Sequence, residues 1–178
     1  MIDRLLAGIV ALTALLAGTA GGGAAMAFTL SSASFTAGAE IPRPYTCEGA
    51  DQSPALSWRD APPATKSFAL IVDDPDAPVG TWVHWVVYDL PGDTTQLPQA
   101  VPATPTLASG AKQGTNDFRK VGYGGPCPPP GKAHRYFFKI YALDAPTNLQ
   151  PRANKADVMR AIDGHVLAHA ELMGTYQR

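Results

Sequence analysis

The chain has 178 residues, with 14 basic and 15 acidic side chains and a net charge of −1. That length suits one domain with a real core, and a near-neutral chain without a basic patch or stripe argues against a nucleic-acid partner. Charged residues make up 16%, below the roughly 25% of an average domain. Together with 17 Pro and 17 Gly, this points to a β-rich exported protein with many turns and long ordered loops.

Residues 1–27 read as a secretory signal peptide. Leu5 to Ala20 is apolar or small, and Ala25-Met26-Ala27 is an A-x-A cleavage pattern, although Asp3 offsets Arg4 ahead of it. The apolar run is short and broken by Gly18, which disfavours a permanent transmembrane helix. With no Cys at the cleavage point, a lipid anchor at a new amino terminus is not indicated. Cleavage after Ala27 leaves one domain over 28–178 and a periplasmic or secreted location.

Phe28 to Phe35 carries apolar residues among Ser and Thr and reads as an edge strand, followed by a turn region over Gly38–Pro44. Tyr45 to Asp51 reads as a short strand running into a loop, and Leu56-Ser57-Trp58 as a further strand ended by Ala61-Pro62-Pro63. Phe68, Leu70 and Val72 fall on one face and Ala69 and Ile71 on the other, the pattern of a strand buried on both sides. Asp73-Asp74-Pro75-Asp76-Ala77-Pro78 follows. Proline fixes φ and donates no backbone hydrogen bond, so this segment is a stiff acidic connection and not a central strand. In the next strand, alternation sends Trp82, His84, Val86 and Tyr88 one way and Val83, Trp85 and Val87 the other. Leu90-Pro91-Gly92-Asp93 reads as a turn.

Gln96 to Gly125 is polar, Pro- and Gly-rich and weakly periodic, which reads as a long functional or mobile loop. Gly124-Gly125-Pro126-Cys127-Pro128-Pro129-Pro130-Gly131 favours a rigid polyproline-like wall. His134 to Leu143 is the third strong strand, with His134, Tyr136, Phe138 and Ile140 on one face. Asn154, three residues ahead of Asp157, caps a helix. Val158, Met159, Ile162, Val166, Ala170 and Met173 follow at roughly helical spacing, with Gly164 placed to split two short helices.

Cys47 and Cys127 are the two cysteines. Export permits a disulfide between them, which would stabilise by about 4 kcal/mol on the chain-entropy view. Two separate buried thiols remain the rival reading.

Two strong strands each carry a histidine beside a Pro-rich loop. If those strands are neighbours, Asp74, Asp76, His84, His134, Arg135 and Tyr136 meet at one end of the sheet. Two imidazoles and a phenol hydroxyl there would donate hydrogen bonds to an anion's oxygens, and a nearby carboxylate would favour a charged histidine. A metal site is the second reading, since two His and one Asp match a facial triad, though tight His-x-Asp or His-x-His spacing is missing. A hydrolase is third. There is no G-x-S-x-G elbow, and Cys127 lies between prolines without an obvious base. His165 and His169 stand at helical i, i+4 spacing without a third ligand nearby. No metal, cofactor or catalytic residue is expected.

Asp74-Pro75-Asp76-Ala77-Pro78, Val83-His84-Trp85, Gly124-Gly125-Pro126-Cys127-Pro128-Pro129 and His134-Arg135-Tyr136, in that order, resemble the phosphatidylethanolamine-binding protein family. They are closest to its bacterial branch, described as Raf-kinase-inhibitor-like. Tyr45-Thr46-Cys47-Glu48-Gly49, the tail from Gly164 to Ala168, and Gly174-Thr175-Tyr176 agree with that branch. The resemblance implies a mainly β sandwich of a large and a small antiparallel sheet with one or two short carboxyl-terminal helices. It also implies a small pocket for phosphate-like anions. By motif position the pocket residues fall on Asp74, His84, His134 and Tyr136, with a proline wall at Pro129 and Pro130. Asp76 braces the loop, and Arg135 forms a structural ion pair with an acidic loop residue. The expectation is a non-enzymatic binding protein for a phosphate-bearing small molecule or a phospholipid head group. The alternative is an inhibitor acting on a kinase or protease by protein–protein contact. A protein target and a homodimer stay open.

Overall fold

A computed structural model describes residues 27–178, so the signal-peptide reading lies outside the described residues apart from Ala27. In chain order the elements are β1 (Thr29–Ser32), a 3₁₀ turn (Arg43–Tyr45), β2 (Leu56–Arg59), β3 (Ser67–Asp74), β4 (Trp82–Pro91), β5 (Gln96–Leu97), β6 (Lys112–Gln113), β7 (His134–Leu143), α1 (Lys155–Ala161) and β8 (Val166–Tyr176). A five-stranded sheet runs β6-β4-β3-β7-β8 and a three-stranded sheet runs β1-β2-β5. All their strand pairings are antiparallel. This is the mainly β, two-sheet architecture the resemblance implied.

β3 is central because its sequence is apolar on both faces, and all eight of its residues are buried. Phe68, Leu70 and Val72 point between the sheets, joining Leu30, Leu56, Trp58, Phe138 and Ile140. Ala69 and Ile71 face the other way, against Val86, Tyr88 and the α1 residue Val158. Trp58 meets Phe68 edge-on with ring centres 5.4 Å apart. Burying an apolar side chain of this size stabilises by about 1.5–3 kcal/mol, so β3 is the strip on which both layers close. Asp73, 1% exposed at the end of β3, is held by Lys139 at 2.8 Å and Lys155 at 2.5 Å, which ties α1 to the sheet.

Four local readings of the sequence are corrected. Tyr45–Asp51 is not a strand: Pro42 and Pro44 favour the 3₁₀ turn at Arg43–Tyr45, and the Thr46 hydroxyl donates to the Arg43 carbonyl to close it. The segment over 96–125 is not one irregular loop, since β5 and β6 form within it. The buried Gln113 side chain holds it in place, accepting from Trp85 Nε1 and donating to the Pro102 and Thr104 carbonyls. The Val166–Met173 stretch is strand, not helix. Only Lys155–Ala161 is helical, closed at its start by an Asn154–Asp157 capping box. The chain then turns near Gly164, whose φ is +77°, and β8 pairs along β7 from Val166 to Tyr176. Finally, strict alternation fails in β4. Val72 pairs with Trp85 and Asp73 with Val83, so His84 is the extra residue of a β-bulge.

Cys47 and Cys127 form a disulfide with their Cα atoms 5.4 Å apart, which decides between the two cysteine readings.

Candidate functional site

The bulge at His84 builds the site. In a regular strand His84 and Trp85 would face opposite sides of the sheet. With one residue inserted, Trp85 enters the core between the sheets while His84 stays on that same face. β3 runs from Phe68, Leu70 and Val72 on that face to Asp74. β7 runs from Ile140 and Phe138 back to Tyr136 and His134. The ends of three neighbouring strands therefore bring Asp74, His84, His134 and Tyr136 into one cup of about 200 Å³.

Each polar group in the cup is fixed from behind. Asp74 Oδ2 stands 2.7 Å from His134 Nδ1, while its Oδ1 accepts the Asp76 backbone N–H at 2.8 Å. His84 Nδ1 lies 2.6 Å from the Gly124 carbonyl. A carbonyl only accepts, so Nδ1 carries the proton. The His84 ring packs edge-on against Tyr136 at 5.2 Å and Phe118 at 5.3 Å. With both Nδ1 atoms engaged, the free ring nitrogens are the two Nε2 atoms. In the same cup the Tyr136 hydroxyl is buried without a hydrogen-bond partner, in a residue only 1% exposed.

The surroundings set the protonation. Burial holds His84 below the usual histidine range, only partly opposed by its bond to Gly124 and by the Asp74 charge. Burial first, then the Asp74 and Asp76 charges, push the Tyr136 phenol well above its ordinary value, so it stays a donor. Asp76 is held down at about 2, chiefly by the hydrogen bond from Arg135. That pair is bidentate, at 2.9 Å and 2.7 Å, and Asp76 also accepts the Arg135 backbone N–H at 3.0 Å. Asp76 and Arg135 thus lock the Pro-rich β3–β4 connection onto β7.

The rim differs in part from the sequence reading. Pro129 lines the cup, but Pro130 is exposed and stands outside it, and Pro128 and Cys127 take the inner places. The disulfide holds Cys127 at the inner end of this segment, and by Pro130 the chain has left the cup for the exposed surface. Sequence reasoning missed Ala77, Pro78, Val79, Trp82 and Phe118 in the lining. Trp82 was legible, since it shares a face with His84. Phe118 carried no signal, because it comes from the aperiodic segment. Among the described residues, no group of three His, Cys, Asp or Glu side chains is placed to hold a metal ion. His165 and His169 are not a helical pair. His165 bonds Asp144 at 2.8 Å, and His169 stacks on Tyr141 from β8.

Comparison with known proteins bears on the family and the fold. Residues 31–177 match the family model described as phosphatidylethanolamine-binding protein. A UPF0098 protein of Aquifex aeolicus is 54% identical over 149 residues, covering 83% of this chain and 86% of the relative. Another from Methanothermobacter thermautotrophicus is 52% identical over 138 residues, covering 78% and 91%. Among solved structures, a putative phosphatidylethanolamine-binding protein homologue of Chlamydia trachomatis has a TM-score of 0.78 at 41% identity, covering 85% of this chain and 98% of that one. Escherichia coli YbcL, described as a new member of the mammalian PEBP family, has a TM-score of 0.79 at 35% identity, covering 86% and 99%.

Proposed function

Because the chain belongs to the phosphatidylethanolamine-binding protein family, we propose that it is a non-enzymatic binding protein whose cup takes phosphate-bearing small molecules or phospholipid head groups. The single observation that carries this reading is the buried Tyr136 hydroxyl without a partner, in a cup also lined by two imidazoles whose Nδ1 atoms are already engaged. A buried polar group left unpaired costs about 1–3 kcal/mol, and an oxyanion in the cup removes that cost. The Tyr136 O–H donates to it. His134 is oriented by Asp74, so its Nε2 is aimed while its Nδ1 is fixed. His84 in its neutral form accepts from a protonated phosphate oxygen, and as imidazolium it donates.

A periplasmic or secreted site of action is part of the proposal. It is supported by the leader-like residues 1–27 and by the Cys47–Cys127 bond, which suits an oxidising compartment.

The test is titration calorimetry with inorganic phosphate and with phosphoethanolamine. His134→Ala is expected to abolish binding while the thermal transition stays cooperative. Unchanged affinity in a folded variant rejects the cup as the site.

A further inference from the structure

Beside the cup lies a second cleft of about 190 Å³, and Phe118 and Cys127 line both. The cup alone, about 200 Å³, is too small for most ligands. Joined across Phe118, the two spaces reach the lower end of the roughly 300–1,000 Å³ of ordinary small-molecule sites. Phe118 is 36% exposed although large and apolar, and its ring rests on His84 and Trp82. A ligand passing from one space to the other crosses that ring.

The second cleft carries one charge of each sign. Asp51 presents a carboxylate whose Oδ1 accepts the Gly125 N–H at 2.6 Å, which orients the group and leaves Oδ2 open. Lys120 lines the same cleft. Its backbone is pinned on both sides of Asn116, accepting from the Asn116 N–H at 2.9 Å and donating to Asn116 Oδ1 at 3.1 Å. Its ammonium has no acidic partner among the described residues. An anchored carboxylate and an unpaired ammonium in one small cleft match a group that itself carries an ammonium and a carboxylate.

We infer that the cup and this cleft form one bipartite site for an O-phosphorylated α-amino acid group, with phosphate in the cup, the α-ammonium on Asp51 and the α-carboxylate on Lys120. This rests on the phosphate reading of the cup. The same chemistry occurs in free O-phosphoserine and in the phosphoserine head group of a lipid, and the cleft recognises the part the two share.

The experiment is calorimetry with four free ligands and one membrane probe. The ligands are inorganic phosphate, phosphoethanolamine, phosphoglycolate and O-phosphoserine; the probe is phosphatidylserine vesicles set against phosphatidylcholine vesicles. O-phosphoserine is expected to bind at least about tenfold tighter than phosphate, the scale of one good charge-assisted contact. The single-group ligands should fall between. Asp51→Asn should remove the gain from the ammonium, and Lys120→Met the gain from the carboxylate, while phosphate affinity stays unchanged in both. Asn keeps the oxygen that Gly125 needs and tolerates the positive φ of +53° at this position, so the substitution removes charge without reshaping the loop. Lys120 is exposed, and its variant guards against a folding artefact at Asp51. Preferential binding of phosphatidylserine vesicles assigns the lipid source; binding of free O-phosphoserine alone assigns the soluble one. Both support the inference. Equal affinity for phosphate and O-phosphoserine overturns it and leaves the phosphate cup standing, as does a gain that survives both substitutions. Failure of all four ligands to bind the unmodified protein overturns the cup and the inference together.

Discussion

His84 shows how one hydrogen bond decides what a side chain offers a ligand. Its Nδ1–H is committed to the Gly124 carbonyl, so the neutral ring presents a lone pair at Nε2 and the charged ring presents a proton. Burial favours the neutral ring. Asp74 and Asp117 pull the other way through their charges, and Tyr136 and Phe118 close the ring off from water. An oxyanion beside Nε2 stabilises the imidazolium, so binding and proton uptake help each other. The sign follows directly: free His84 titrates below its ordinary value of 6.5, and saturation with phosphate moves its midpoint upward. Nitrogen chemical shifts of the imidazole, followed by NMR from pH 8 to pH 5 with and without phosphate, read this at the residue concerned. A midpoint that stays fixed or falls on saturation rules out contact between the anion and His84 Nε2.

At the scale of elements, the wall of the cup depends on chain passing where no side chain fits. A Cβ on Gly125 would stand 2.4 Å from the Tyr45 carbonyl oxygen and 2.6 Å from Asp51 Oδ1, and one on Gly124 would stand 2.7 Å from the Phe118 ring. Gly125→Ala therefore lifts the strip off the Tyr45–Asp51 turn and drags the neighbouring Gly124 carbonyl away from His84. Overpacking of this kind costs about 1–3 kcal/mol. The expected result is a lower unfolding midpoint in urea together with weaker phosphate binding; a variant that binds phosphate as the unmodified protein does uncouples Gly125 from His84. Both histidines and Pro129 were legible in the sequence through the motifs that carry the family resemblance, whereas Pro130 fell outside the cup. The bulge was not legible: it comes from the pairing of Val72 with Trp85 and Asp73 with Val83, and no local signal marks it. β8 was misread for a related reason. Val158, Ile162, Val166 and Ala170 do recur at helical intervals, but Ala168, Ala170, Leu172 and Tyr176 also alternate, and these turn into the core. The open edge of β7 settles the choice, since a ladder from Val166 to Tyr176 satisfies backbone groups that a helix there would leave exposed.

For the molecule as a whole, the site is assembled from two parts held by different forces. Asp74, His84, His134 and Tyr136 stand on β3, β4 and β7, which are pinned by sheet ladders and by a core packed on both faces. The rim stands on loops tied by the disulfide, with Cys127 Cα 5.4 Å from Cys47 Cα across 80 residues of chain. Further ties join these loops to the rest: the Tyr176 hydroxyl to Glu48, and the Cys47 N–H to the Pro126 carbonyl at 3.1 Å. Closing a loop of that length stabilises by about 4 kcal/mol, mainly by restricting the unfolded chain. The paired substitution Cys47→Ser, Cys127→Ser should therefore lower the free energy of unfolding by about 4 kcal/mol, measured from denaturant midpoints. Phosphate affinity, measured at a temperature where the variant is folded, should fall far less than in His134→Ala, because the ladders and the Gly124–His84 bonds do not pass through sulfur. If removing the bridge instead abolishes phosphate binding in a folded protein, recognition lies in the loops, and the strand ends serve only as their support.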